Sequence, residues 1–175
     1  MDRHPIPFDK FLLKTHALWN DQWMLLTAGD FREGHFNAMT VGWGSFGTMW
    51  SKPFVQIVVR PTRYTFEFME KYETFTLCAF PEQYRPAVEL LGSKSGRDGD
   101  KIAEAGITPI AASQVAAPGF AEAELIVECR KMYWDDFEPE QFLDPSIGNN
   151  YPLKDYHRVY FGQIVAISGV SAYAG

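Results

Sequence analysis

N-A-M-T-V-G-W-G-S-F-G-T-M-W-S-K-P-F-V-Q-I-V-V-R-P-T-R, residues Asn37 to Arg63, is the stretch from which the fold follows. It opens β-prone, loosens where Gly42, Gly44 and Gly47 punctuate it, and becomes an apolar strand over Phe54 to Val59. Two arginines then stand three residues apart at the start of an expected helix. Glycines let a backbone approach a flat ligand, because no Cβ intervenes. Arginines beside the free N–H groups of a helix start suit a phosphate. A flat ring with a phosphate tail is the ligand such a stretch would take, a flavin mononucleotide among others.

The whole chain is compatible with one domain. Its 175 residues are enough to bury a sizeable core, and 46% of them are hydrophobic. A formal net charge of −6 argues against general nucleic-acid binding, which wants a basic face. Any anion site is therefore a local cluster of cations. The first residues, M-D-R-H-P-I-P-F, lack a signal-peptide core, and no apolar run approaches a membrane span. Cys78 and Cys129 lie in apolar β-like runs and read as reduced core thiols. A cytoplasmic protein is expected.

Outward from the central stretch, Trp23 to Ala28 reads as a buried strand ended by Gly29-Asp30, and His35 to Trp43 as its hairpin partner. Phe54 to Arg60, Phe75 to Phe80, Leu125 to Trp134 and His157 to Val170 complete a set of six strands. Thr62 or Thr65 is placed to cap a helix running to about Tyr72. Pro81 is placed to open a second helix and Gly92 to end it. Asp98 or Asp100 is placed to cap a third. Residues 135–154 read as irregular with one helical turn near Glu140. Many strands with few, short helices imply a closed or nearly closed barrel.

Two clusters can hold an anion. The first is Arg60, Thr62, Arg63 and Thr65 at a helix start, where guanidinium groups, hydroxyls and the helix dipole converge. The second is Ser95-Gly96-Arg97 with Lys101, where Gly96 lets successive N–H groups form a nest. Against both stands the plain alternative of solvated arginines and an ordinary polar loop. Trp43, Phe46, Trp50 and Tyr64 either line a ring pocket or belong to core and interface. His4, His16, His35 and His157 show no metal-ligand spacing, and no nucleophile elbow, Walker loop or dinucleotide fingerprint is present.

The motifs M-T-V-G-W-G-S-F-G, K-P-x-x-x-x-x-V-R-P-T-R-Y-T, F-T-L and S-G-R-D-x-D-K, followed by I-T-P, resemble the flavin reductase-like, FMN-binding split-barrel family. Its flavoredoxin-like branch is the nearest. The resemblance is dense over residues 20–110 and looser over the last strand. It implies a mainly β fold, a six-stranded Greek-key split barrel, that forms a homodimer with one FMN per subunit near the interface. It implies that Met39, Thr40, Val41, Gly42 and Trp43 meet the isoalloxazine. It also implies that Arg60, Thr62, Arg63, Tyr64, Thr65, Ser95, Gly96, Arg97 and Lys101 hold the ribityl phosphate. Relatives pass a hydride from NADH or NADPH to flavin, or carry electrons on bound FMN. One departure stands out. Where many relatives open the last strand with Gly-Asp-His, this chain has Lys154-Asp155-Tyr156-His157, so His157 is a nicotinamide-side contact only by analogy. A non-catalytic FMN-binding or sensory module, and a split barrel binding pyridoxal phosphate, are the competing readings.

Overall fold

A computed structural model describes every residue from Met1 to Gly175. Seven long strands dominate it: β1 (Met24–Asp30), β2 (His35–Val41), β3 (Gly44–Met49), β4 (Lys52–Val59), β5 (Thr74–Ala79), β6 (Leu125–Asp136) and β7 (Arg158–Gly169). Three helices of any length accompany them: α1 (Tyr64–Lys71), α2 (Arg85–Ser93) and α3 (Lys101–Ala105). The strands pair antiparallel in the spatial order β2-β1-β5-β6-β7-β4-β3.

That order has a geometric consequence. β2 and β3 are the two outer edges of the sheet, yet only Gly42 and Trp43 separate them in sequence. A flat sheet of seven strands cannot bring its edges within two residues of each other, since neighbouring strands are about 4.8 Å apart. The sheet therefore curls into a barrel that stays unbonded along one seam, and Gly42–Trp43 crosses that seam. Curvature is helped by bulges between β6 and β7 at Phe161/Gly162 and Ile164/Ala166.

The sequence reading placed six strands; the seventh is β3, formed by the glycine-punctuated segment. Gly44, Ser45 and Phe46 pair with Ile57, Gln56 and Val55. A Cβ on Gly44 would run into the carbonyl oxygen of Gln56 and the ring of Trp19, so glycine is needed here for close approach.

Side-chain alternation sorts the core into two layers. Met24, Leu26 and Ala28 point into the barrel with Val55, Ile57, Leu77 and Val127. Leu25, between them, points outward beneath α2 and α3 with Ala38, Cys78, Val88 and Leu91. β1 is thus covered on both sides, which is why all but its last residue are buried and most of them apolar.

Several local expectations meet a competing force. No side chain caps α1; the Thr65 hydroxyl is buried and accepts from Asn37 Nδ2 at 2.7 Å instead. Pro81 precedes a short turn (Glu82–Tyr84), and Pro86 is the proline at the start of α2. Gly92 does not end that helix, which runs to Ser93; a side chain at Gly92 would press on Thr40, with its Cβ 3.0 Å away. Asp100 does cap α3, accepting from the Ala103 amide at 3.0 Å. No helix is long and apolar enough to cross a membrane.

Candidate functional site

The barrel seam opens into a cleft of about 220 Å³ lined by Met39, Thr40, Val41, Gly42, Trp43, Val58, Arg60, Arg63, Gly92 and His157. Five segments supply them. The end of β2 and the crossing residues supply Met39 to Trp43; β4 supplies Val58; the β4–α1 loop supplies both arginines; α2 supplies Gly92; and the residue just before β7 is His157. Thr40 anchors the wall, because its hydroxyl donates to the Val88 carbonyl of α2. Trp43 is half exposed at the rim, 5.2 Å from the His157 ring.

The two arginines serve different partners. Arg60 is taken up by the 137–156 segment: its guanidinium donates to both oxygens of Asp155 (3.0 and 2.9 Å) and to the Asn150 carbonyl at 2.7 Å, and lies 5.0 Å over Tyr151. Arg63 has no carboxylate. It donates to the Gly92 carbonyl at 2.5 Å, at the C-terminal turn of α2. Lys101 approaches the same turn from the other side, donating to the carbonyls of Leu91 (2.9 Å) and Lys94 (3.0 Å) while almost completely buried. Helix-end carbonyls stabilise cations. They carry only partial charge, however, so both groups feel the lack of an anion. Burial, then the neighbouring Arg63 charge, brings the Lys101 ammonium down to about 8. Burial, then Arg60, likewise lowers Arg63.

Among the other expected anion ligands, Arg97 is engaged elsewhere: it pairs with Glu67 and lies 4.8 Å over the Tyr64 ring. Ser95 Oγ accepts from the Arg97 amide at 3.2 Å, so Ser95–Arg97 is a local turn. A Cβ on Gly96 would strike the Asn37 amide oxygen. Tyr64, Gly96 and Lys101 line a second, larger cavity on the far side of this loop. The structure thus gathers Met39, Thr40, Val41, Gly42, Trp43, Arg60, Arg63 and His157 in one cleft. Thr62, Tyr64, Thr65, Ser95, Gly96, Arg97 and Lys101 stand outside its lining.

Three nearby residues escape a reading of the sequence: Val58, Gly92 and Tyr151. Gly92 looks like a helix terminator, and Val58 like any strand residue. Tyr151 sits in a segment without periodicity. Its hydroxyl is 2.8 Å from His157 Nδ1. Burial, reinforced by the Arg60 charge and opposed by Asp155, brings the His157 imidazole down to about 4, so it is neutral near pH 7.

The cation pair is an observation against which a phosphorylated ring can be tested. Arg63 and Lys101 are partly or wholly buried and have no carboxylate partner, and the strand end Met39 to Trp43 offers a flat wall leading away from them. The donor set fits FMN.

Comparison with known proteins agrees with the architecture. No curated protein matches the chain. Among solved structures, an FMN-binding domain of a flavin reductases-like enzyme from Shewanella baltica superposes with a TM-score of 0.69 at 16% identity, covering 99% of this chain and 85% of that one. Flavoredoxin of Desulfovibrio vulgaris gives 0.67 at 19% identity over 92% and 75% of the two chains. An NADH:FAD oxidoreductase from Streptomyces globisporus gives 0.65 at 16% identity over 88% and 78%. These likenesses establish the fold, a flavin reductase-like split barrel. The family model described as Flavin reductase like domain matches residues 20–173, nearly the entire length, and the chain belongs to the flavin reductase-like domain family.

Proposed function

We propose that this chain is an FMN-binding flavoprotein that takes reducing equivalents from NADH or NADPH, as a flavin reductase or as a small electron carrier. The observation that carries the reading is Arg63 in the cleft at the barrel seam, with no carboxylate partner, backed by Lys101 behind the same turn of α2, also without one. The isoalloxazine lies against Met39 to Trp43, and the phosphate is directed to Arg63 and to the Ser95–Lys101 loop. Relatives described as FMN-binding or as an NADH:FAD oxidoreductase support the same ligand class.

Bound flavin supplies the hydride and electron chemistry, and the protein's task is to bind and orient it. Met39 and Val41 offer buried apolar surface to the cleft, while Thr40 keeps α2 in place through its bond to Val88. Trp43 shields one rim. His157 contributes a neutral ring and no charge. Anaerobic mixing of the FMN-loaded protein with NADH and with NADPH tests the reductase reading. Bleaching of the flavin absorbance by at least one of them is expected. No bleaching with either returns the protein to a non-catalytic FMN-binding module.

We further infer a homodimer. Trp50, Tyr133, Phe54 and Phe161 form an aromatic cluster on β4, β6 and β7 and the β3–β4 turn, with ring separations of 5.6–6.2 Å, and Trp50 and Tyr133 are exposed. Such a patch suits a subunit contact. The cleft of one chain is also smaller than the roughly 300–1,000 Å³ of ordinary cofactor sites, which fits completion by a second subunit.

A further inference from the structure

The 137–156 excursion between β6 and β7 is the part of the chain that flavin binding leaves without a task. It is irregular apart from two short helical turns, Pro139–Gln141 and Pro145–Asn150. An aromatic stack holds it together. Phe142 lies parallel to Tyr151 with ring centroids 6.0 Å apart, and Tyr151 lies 4.9 Å from Tyr156. Arg60 latches it to the barrel through Asp155, Asn150 and the Tyr151 face. The product of this packing is a single buried contact: Tyr151 Oη lies 2.8 Å from His157 Nδ1, with Tyr151 only 4% exposed.

Proton accounting decides the direction of that bond. Near pH 7 the phenol and the imidazole are both neutral, so one hydrogen lies between Oη and Nδ1. Were Nδ1 the donor, the phenol hydrogen would need a second acceptor, and Tyr151 Oη has no other partner in the protein. A buried donor left without an acceptor is costly. With the phenol as donor, its hydrogen is satisfied by His157 Nδ1. The imidazole hydrogen then sits on Nε2. That atom has no protein acceptor and is not a buried unpaired atom, those being only Trp19 Nε1 and Thr27 Oγ1. Nε2 therefore reaches solvent, and His157 is part of the cleft lining.

We propose that Tyr151 is a positioning residue for the cleft: its O–H donates to His157 Nδ1, fixing the imidazole in the Nε2–H tautomer and presenting one uncharged N–H donor to whatever binds there. A donor of this kind complements a neutral carbonyl or amide oxygen, as on a flavin ring or a carboxamide. A phosphate or carboxylate is better served by the cations on the other side. The charged groups packed about the pair are Arg60 and Asp155, which form an ion pair with each other, and burial keeps the imidazole uncharged. The inference rests on the cleft as ligand site but not on flavin as the ligand.

Long-range proton–nitrogen correlation spectra of the ¹⁵N-labelled full-length protein at pH 7 test this, with His157→Gln identifying the signals. Expected in the flavin-free protein is an unprotonated Nδ1 and a protonated Nε2. In Tyr151→Phe the two resonances should move toward the averaged pattern of a tautomer mixture. An Nδ1–H tautomer in the parent overturns the proposal, and so does a Tyr151→Phe spectrum identical to the parent's. Should Tyr151→Phe be insoluble, the parent spectrum decides alone. The tautomer is read without ligand, so failure of FMN to bind is a separate result.

Discussion

Arg60 grips both carboxylate oxygens of Asp155, at 3.0 and 2.9 Å, across 95 positions of sequence. That ion pair divides two arginines which look equivalent in R-P-T-R. Arg60 fastens the 137–156 segment, and its bond holds the Asp155 carboxyl below the usual range. Arg63, three residues on, keeps its charge free of any acid.

The division makes the arginines separable by mutation. Arg63→Ala should weaken FMN binding roughly ten- to a hundred-fold, since a charge-assisted hydrogen bond contributes about 1.5–3 kcal/mol. Arg63→Lys should recover part of the loss, keeping the charge but not the fork. Arg97→Ala, which removes an exposed pair with Glu67, should shift stability by less than about 1 kcal/mol and FMN affinity less than Arg63→Ala does. Flavin fluorescence titration of the three variants beside the parent checks the ranking. Equal losses for Arg63→Ala and Arg97→Ala would contradict it.

His157 gives the fold a pH signature. Its folded pKa is depressed from 6.5 to about 4, by burial and then by Arg60, so the unfolded chain binds the extra proton between those values. The His157 contribution to stability should therefore be level above pH 6.5 and fall as pH drops toward 4. The slope in that window is at most about 1.4 kcal/mol per pH unit. Urea unfolding of the parent and of His157→Gln at several pH values separates this contribution from that of the carboxylates. The variant should lose much of the slope in that window and none above it.

Lys101 predicts a different dependence, on affinity. With its ammonium lowered to about 8, the free protein begins to lose this charge in mildly alkaline solution. An anion bound beside it favours the protonated form, so FMN should bind with proton uptake and weaken as pH rises through 8. Riboflavin, which lacks the phosphate, should show little of this trend. Calorimetric titration in buffers of different ionisation heat reads the proton count directly.

The sequence made the local grammar plain and left distant pairings hidden. The β1–β2 hairpin was legible because Gly29-Asp30 and Gly34 bracket a turn, and Asp30 and His35 do pair. Asp100 was legible as a cap because its acceptor reaches only three residues. Met39 to Trp43 were pointed to by the family resemblance, and they line the cleft. β3 was not legible, since Gly44 and Gly47 argue against a strand until β4 and Trp19 are seen pressing on it. Nor could spacing reveal that Asp155 claims Arg60, that Glu67 claims Arg97, or that Asn37 draws Thr65 away from a capping role. Each of these bonds joins residues at least 28 positions apart, which no local pattern encodes.

The most direct test of the proposed site is a paired titration of the flavin-free protein with FMN and riboflavin, followed by quenching of flavin fluorescence. The two ligands share the ring that Met39 to Trp43 would hold and differ in the phosphate that Arg63 and Lys101 would hold. FMN should bind at least about ten-fold more tightly, the effect of a single charge-assisted contact, and Arg63→Ala should remove most of that preference. Riboflavin binding as tightly as FMN, or more so, would contradict the assignment of this cleft and its cation pair.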